Sequence, residues 1–169
     1  KSSTGKKMTL RQFVGMWRTW LRSSIIGTII GIIPAAGANI ACFVAYSEAK
    51  RNSKDPSSFG KGSIEGIMAA ESSNNAVCGG SLVPLLTLSI PGNAVAAVIL
   101  GGLMIHGLVP GPQLFVKYAS ETYTFILGLF FSTLIMFAVA WYCSKAFAKV
   151  AYVPVMVLAP TMLLLSLLG

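Results

Sequence analysis

The chain has 169 residues, 54% hydrophobic and 11% charged, with a mean hydropathy of +0.73. A soluble domain carries about 25% charged residues, so the composition excludes an ordinary soluble globule and reads as an integral membrane protein. The net charge of +8 comes from 13 Lys and Arg against 5 Asp and Glu. These cations flank apolar runs, which fits the basic bias of cytoplasmic loops better than a nucleic-acid surface, and no nucleic-acid partner is expected.

Lys1 to Lys7 is a basic lead. Thr9 to Arg22 then follows a helical period: at about 100° per residue, Leu10, Phe13, Val14, Trp17, Trp20 and Leu21 share one arc, with Arg11, Arg18 and Arg22 beside it. Such a helix suits the membrane interface, where the cations reach headgroups; the alternative is a cytoplasmic helix packed on other subunits. The first expected domain is therefore 1–23, a basic lead and an interfacial amphipathic helix.

Ser24 to Tyr46 is apolar and long enough to cross a bilayer, but Pro34 divides it into two halves of about nine residues, each about 14 Å if helical. Arg18 and Arg22 precede it, and Lys50, Arg51 and Lys54 follow. A crossing would leave both sides basic, against the usual orientation bias. The segment therefore reads as a re-entrant helical hairpin with its tip at Pro34 to Asn39; a kinked span is the alternative.

Glu48 to Gly62 is a polar loop, and Ser63 to Gly80 has helical potential with an unusual polar load. On a helix, Glu71, Asn74, Asn75 and Cys78 share one face. Gly79-Gly80 is expected to loosen the backbone. Ser81 to Leu88 resumes an apolar helix, Ser89 to Gly92 breaks it, and Asn93 to His106 continues with small residues that suit close helix approach. Gly107 to Pro112 is a turn. An Ile/Val-Pro-small sequence marks each break, at Ile33-Pro34-Ala35, Ile90-Pro91-Gly92 and Val109-Pro110-Gly111. The second domain is 24–115, a transport core with two broken segments.

The third domain, 116–169, holds ordinary transmembrane helices. Thr122 to Cys143 is the clearest span, with Tyr123, Trp141 and Tyr142 as interface anchors. Val153 to Leu168 begins a last span that is cut off; starting at Lys1 and stopping at Gly169 after an apolar run, the chain reads as a piece of a longer protein. Cys42, Cys78 and Cys143 sit singly, without the spacing of a metal site or disulfide framework, and His106 is the single histidine.

Freed backbone groups at bilayer depth are tolerated only where protein or a water-filled cavity satisfies them, and paired interrupted segments point to a transporter's substrate site. No Arg or Lys lies in the apolar segments around the breaks, so an anion would be held by backbone N–H groups at helix starts. The expected substrate contacts are Pro34, Ala35, Ala36, Gly37, Ala38 and Asn39 at the first break. Ser89, Pro91, Gly92 and Asn93 supply the second, with Asn74 and Asn75 between. Asn39 and Asn93 add amide donors, while Asn74 and Asn75 either contact substrate or zip helices together. Glu71 with Ser72 is the candidate for a coupling ion, Na⁺ or a proton; its alternative is a structural group bonding helix ends. Glu65 reads as solvated or paired with Lys61, His106 as an interface residue, Cys78 as packing. Beyond Na⁺ or H⁺, no cofactor or resident metal is expected.

Gly27-Thr28-Ile29-Ile30-Gly31-Ile32-Ile33-Pro34 with Gly37-Ala38 resembles the signature of the large permease subunit of tripartite tricarboxylate transporters, TctA. So do Phe59-Gly60-Lys61-Gly62, Glu65-Gly66, Glu71-Ser72, Asn74-Asn75-Ala76 and Gly79-Gly80. Ile90-Pro91-Gly92 and His106 through Pro112 complete the likeness, dense from Arg22 to Phe115. Ala35 and Ser89 stand where that family usually has glycine. The resemblance implies an all-α integral membrane protein, a multi-span helical bundle with broken or re-entrant helices, this stretch lying in the second half of an inverted-repeat transporter. It implies a multi-pass permease of the bacterial inner membrane, not an enzyme. Its partners would be a small membrane subunit and a periplasmic solute-binding protein, and its substrate citrate or another small carboxylate, imported by symport. Two other classes remain open: a scaffold subunit that moves no solute, and an intramembrane hydrolase using Ser81 and His106.

Overall fold

The computed structural model describes residues 9–34, 36–150, 153 and 155–168. The basic lead and Ala35, expected among the substrate contacts, lie outside them. Every regular element among the described residues is helical. Contacts divide the chain into two compact units, Lys1–Ala119 and Ser120–Gly169.

In the first unit α1 is Leu10–Gly15, α2 Trp17–Ile32, α3 Gly37–Asn52, α4 Ile64–Leu88, α5 Ala94–Ile105 and α6 the single turn Leu114–Lys117. The expected interfacial helix is not one piece. It bends at Met16, and α2 then runs unbroken from Trp17 into the apolar segment. Each arm of the Pro34 break is therefore 16 residues long, about 24 Å, rather than nine.

The break is a hairpin. Arg22 Nη1 lies 3.2 Å from Glu48 Oε1, which places the start of α2 beside the end of α3. Asn52 Nδ2 donates to the same Glu48 oxygen at 2.7 Å. Glu65, at the start of α4, accepts from Thr19 Oγ1 at 2.8 Å and from Ser53 Oγ at 2.7 Å; rather than solvated or paired with Lys61, as expected, it is half-buried on hydroxyls of the hairpin base. All three helices thus share one end. From there α2 and α4 run in the same direction, Thr19 level with Glu65 and Gly31 level with Val77 and Gly80. α3 runs against them, with Cys42 Sγ bonded to the Ala70 carbonyl and Tyr46 beside Gly66.

Small residues make these contacts. α2 buries Thr19, Ser23, Gly27 and Gly31, α3 buries Ala41, Ala45 and Ala49, and α4 buries Gly66, Ala69, Ser73, Val77 and Gly80. Spacing of four in α2 and α3, and of three or four in α4, lays each set along one stripe. A Cβ on Gly31 would stand 2.7 Å from the Val77 carbonyl, and one on Gly80 would meet the Thr28 carbonyl. Gly79-Gly80 therefore does not loosen α4, which is helical throughout; Gly80 lets two backbones touch. Of the small residues expected to do this in α5, Ala96 is buried, while Gly101 and Gly102 face open space.

Many large apolar side chains point outward: Phe13, Trp17, Trp20, Ile25, Ile29, Phe43, Val95 and Val98 are all exposed, while Leu85, Leu86 and Leu114 are buried. In water so large an apolar surface would drive association. In lipid it costs nothing, and close packing of small residues is what holds helices together there.

The second unit consists of α7, Ala119–Val150, and α8, Val155–Leu168. Among the described helices α7 is the one long and apolar enough to cross a membrane, over Ala119–Lys149. It contains the expected Thr122 to Cys143 span. α8 has 14 residues, about 21 Å, short of a bilayer core of about 30 Å.

Candidate functional site

The three Pro-small breaks, separate in sequence, gather along the second half of α4. The first follows α2, whose last turn lies against Val77 and Gly80. The second seats Gly92 beside Ser81 and the Gly31 carbonyl, which a Cβ on Gly92 would approach to 3.5 and 3.6 Å. The third returns to the end of α4, where Gly111 N donates to Leu86 O at 2.9 Å and Ser89 Oγ donates to the Pro110 carbonyl.

Each break has a local cause. At the first, Pro34 cannot continue the ladder, and Gly37 takes a φ of +72° to start α3. At the second, Ser89 adopts φ +59°. Its N–H bonds Leu85 O and the Ile90 N–H bonds Pro84 O, the paired bonds of a left-handed helix stop. Glycine is the natural residue there; serine holds the conformation with its hydroxyl tied to Pro110. Sequence reasoning missed Pro84 inside α4. Having no N–H, it leaves the Gly80 carbonyl without its i+4 donor, at the level where the first two breaks meet.

The two helix starts differ. Asn93 caps α5, its Oδ1 accepting from Ala96 N at 2.8 Å, a bond that fixes the side chain and leaves its Nδ2, the expected donor, outside the cap. α3 has no side-chain cap at Ala36, and its first-turn N–H groups remain donors. Around them Ala36, Gly37 and Ala38 are half-buried, Pro34 and Asn39 exposed. Ser89, Pro91 and Asn93 are half-buried and Gly92 buried. The cluster thus offers carbonyls from the ends of α2 and α4 and amides from the start of α3, with both signs of peptide dipole in one place.

The remaining candidates fall elsewhere. Glu71, Ser72 and Asn75 line an open groove of about 540 Å³ with Phe13, Trp20, Ser24 and Met68. Asn75 Nδ2 donates to the Glu71 carbonyl at 2.9 Å. Glu71, Asn74, Asn75 and Cys78 do share one face, and all are exposed. Cys78 is exposed within this chain, whereas Cys42 is half-buried and hydrogen-bonded to the Ala70 carbonyl. Ser81 Oγ donates to Cys78 O at 3.0 Å, and His106 is the exposed C-cap of α5. Ser73, fully buried against Gly27, has no partner for its hydroxyl among the described residues.

The sequence model of the family described as Tripartite tricarboxylate transporter TctA family matches residues 1–169. Two proteins of Agrobacterium vitis are similar. One, described as an uncharacterized 52.8 kDa protein in the TAR-I ttuC' 3' region, is 33% identical over 149 residues, covering 88% of this chain and 30% of its own. The other, an uncharacterized protein in the TAR-II ttuC' 3' region, is 32% identical over 143 residues, covering 85% of this chain and 59% of its own. The matched chain thus spans well under two thirds of either relative. No solved structure matches.

Proposed function

We propose, because this chain belongs to the tripartite tricarboxylate transporter TctA family, that it forms part of the permease core of an ion-gradient-driven secondary transporter. In this reading the permease lies as a multi-pass protein in the bacterial inner membrane. It takes citrate or a similar small carboxylate from a periplasmic binding protein, beside a small membrane subunit. The observation that carries the reading is the convergence of the breaks, with Gly92 seated against Gly31 O and Ser81. Helices in lipid gain nothing from being broken unless the freed groups bind something.

The uncapped start of α3 is the anion-binding end in this proposal. Its N–H groups, with the amide of Asn39, hold one carboxylate of the substrate. Neutral dipoles hold an anion less tightly than a buried arginine pair, so release inward is easier. Pro34, Ala35, Ala36, Gly37 and Ala38 shape that end; Ser89, Pro91, Gly92 and Asn93 close the other side. Asn74 and Asn75 lie on the route along α4. The carbonyls of Gly31 and Gly80 suit a small cation, and Glu71 with Ser72 is the second candidate locus for Na⁺ or a proton.

Uptake of labelled citrate into proteoliposomes holding the intact permease, the small subunit and the binding protein tests this. Uptake driven by a Na⁺ or proton gradient is expected. Binding-protein-dependent assembly with no flux under either gradient would leave a scaffold role instead.

A further inference from the structure

We propose that the base of the α2–α3 hairpin carries a site for the phosphate headgroup of an anionic phospholipid. A pocket of about 810 Å³ opens there, lined by the polar Arg18, Arg22, Lys54 and Asn52 together with the apolar Trp17, Leu21 and Ile25. Among the described residues the single ion pair is Arg22–Glu48, so Arg18 and Lys54 reach the pocket with no acidic partner. Glu65 also lines it and keeps its negative charge while accepting from Thr19 and Ser53. Arg18, Arg22 and Lys54 outweigh Glu65 even with Glu48 offsetting Arg22, so the pocket is net positive. Arg18 is further held against the Trp17 ring, 5.6 Å from its centroid, which limits its freedom before anything binds.

The apolar wall decides between a lipid and a dissolved phosphate. Leu21, Ile25, Ile29 and Ile32 form a strip up the outside of α2, each 42–57% exposed. The strip starts at the pocket and gives an acyl chain a track above its headgroup. A soluble anion would use the cations and leave this strip bare. The pocket is also separate from the breaks, since Gly31 lies nine residues along α2 from Arg22, about 14 Å. The proposal rests on the membrane setting of the family reading, not on transport.

The test is native mass spectrometry of the intact permease offered phosphatidylglycerol and phosphatidylcholine in equal amounts. Retention of phosphatidylglycerol is expected to exceed that of phosphatidylcholine. A cation near an anionic surface strengthens binding about fivefold, so the double variant Arg18→Gln/Lys54→Gln should retain phosphatidylglycerol about thirtyfold less. Lys145→Gln/Lys149→Gln, the same charge change elsewhere, should retain it fully. Equal retention by the first variant, or equal loss by the second, overturns the site. So does displacement of the lipid by glycerol 3-phosphate, which would make it a site for soluble phosphate. Should the variant fold poorly, brominated lipids read the wild type: quenching lost in Trp17→Phe must be greater with brominated phosphatidylglycerol than with brominated phosphatidylcholine, and equal quenching rejects the proposal. Lipid retention is read without substrate, so loss of uptake with retention intact counts against the permease reading alone.

Discussion

Arg22 and Glu48 are 26 positions apart and their side chains meet at 3.2 Å. On one continuous helix the same two residues would stand about 39 Å apart. The chain therefore turns back at Pro34, and the basic flanks on either side of the segment lie at one end. Both partners are about one-third exposed, so the pair itself contributes about 1 kcal/mol at most. Its value here is as a ruler.

Same-side labelling follows. With Cys42, Cys78 and Cys143 replaced, single cysteines at Ser24 and Ser47 should react with a membrane-impermeant maleimide from the same face of the membrane. Reaction from opposite faces would restore the kinked span.

Two adjacent glycines separate packing from flexibility. A Cβ at Gly80 would run into the Thr28 carbonyl, whereas one at Gly79 meets nothing within 4 Å. Gly80→Ala should lower stability by about 1–3 kcal/mol through overpacking. Gly79→Ala should be neutral or raise stability by up to about 1 kcal/mol, as a helix-interior glycine replaced by alanine. Thermal unfolding in one detergent measures both; similar losses at the two positions would mean that α4 bends there after all.

At Ser89 two effects oppose. Its φ of +59° is unfavourable for a residue with a Cβ, while its hydroxyl ties the helix stop to Pro110. Ser89→Gly relieves the first and loses the second, each about 1 kcal/mol, so the melting temperature should barely move. Ser89→Ala keeps the backbone cost and loses the bond, and should be the worse variant by about 1 kcal/mol. If alanine equals glycine, the positive φ costs nothing; if alanine equals serine, the bond to Pro110 contributes nothing.

Glu71 separates coupling from structure. Glu71→Gln keeps the shape of the side chain in its open groove. Uptake in proteoliposomes should fall at least tenfold, with the dependence on Na⁺ or on pH moved. Unchanged uptake would assign the carboxylate to contacts with other parts of the permease.

How much was legible follows from which signals are local. The hairpin was readable because charge bias and proline both act within a few residues of the break. The helix stop at Ser89 was readable from Ile90-Pro91-Gly92. The length of α2 was not, since Met16, a good helix former, is where the chain bends. The stripe Thr19, Ser23, Gly27, Gly31 carries an i, i+4 spacing that would have shown the packed face, but small residues give no apolar period to notice.

Taken alone, the sequence determined that the chain is apolar enough for lipid, that it is helical, and that its helices stop at Pro34 and at Ser89 to Gly92. Composition, proline and charge are properties of single residues and short windows, and no folding is needed to read them. Tertiary structure decided which breaks meet, that Gly80 is a contact rather than a hinge, and that Glu65 closes the hairpin base. Those depend on how closely one backbone approaches another, and that distance is set by residues scores of positions apart.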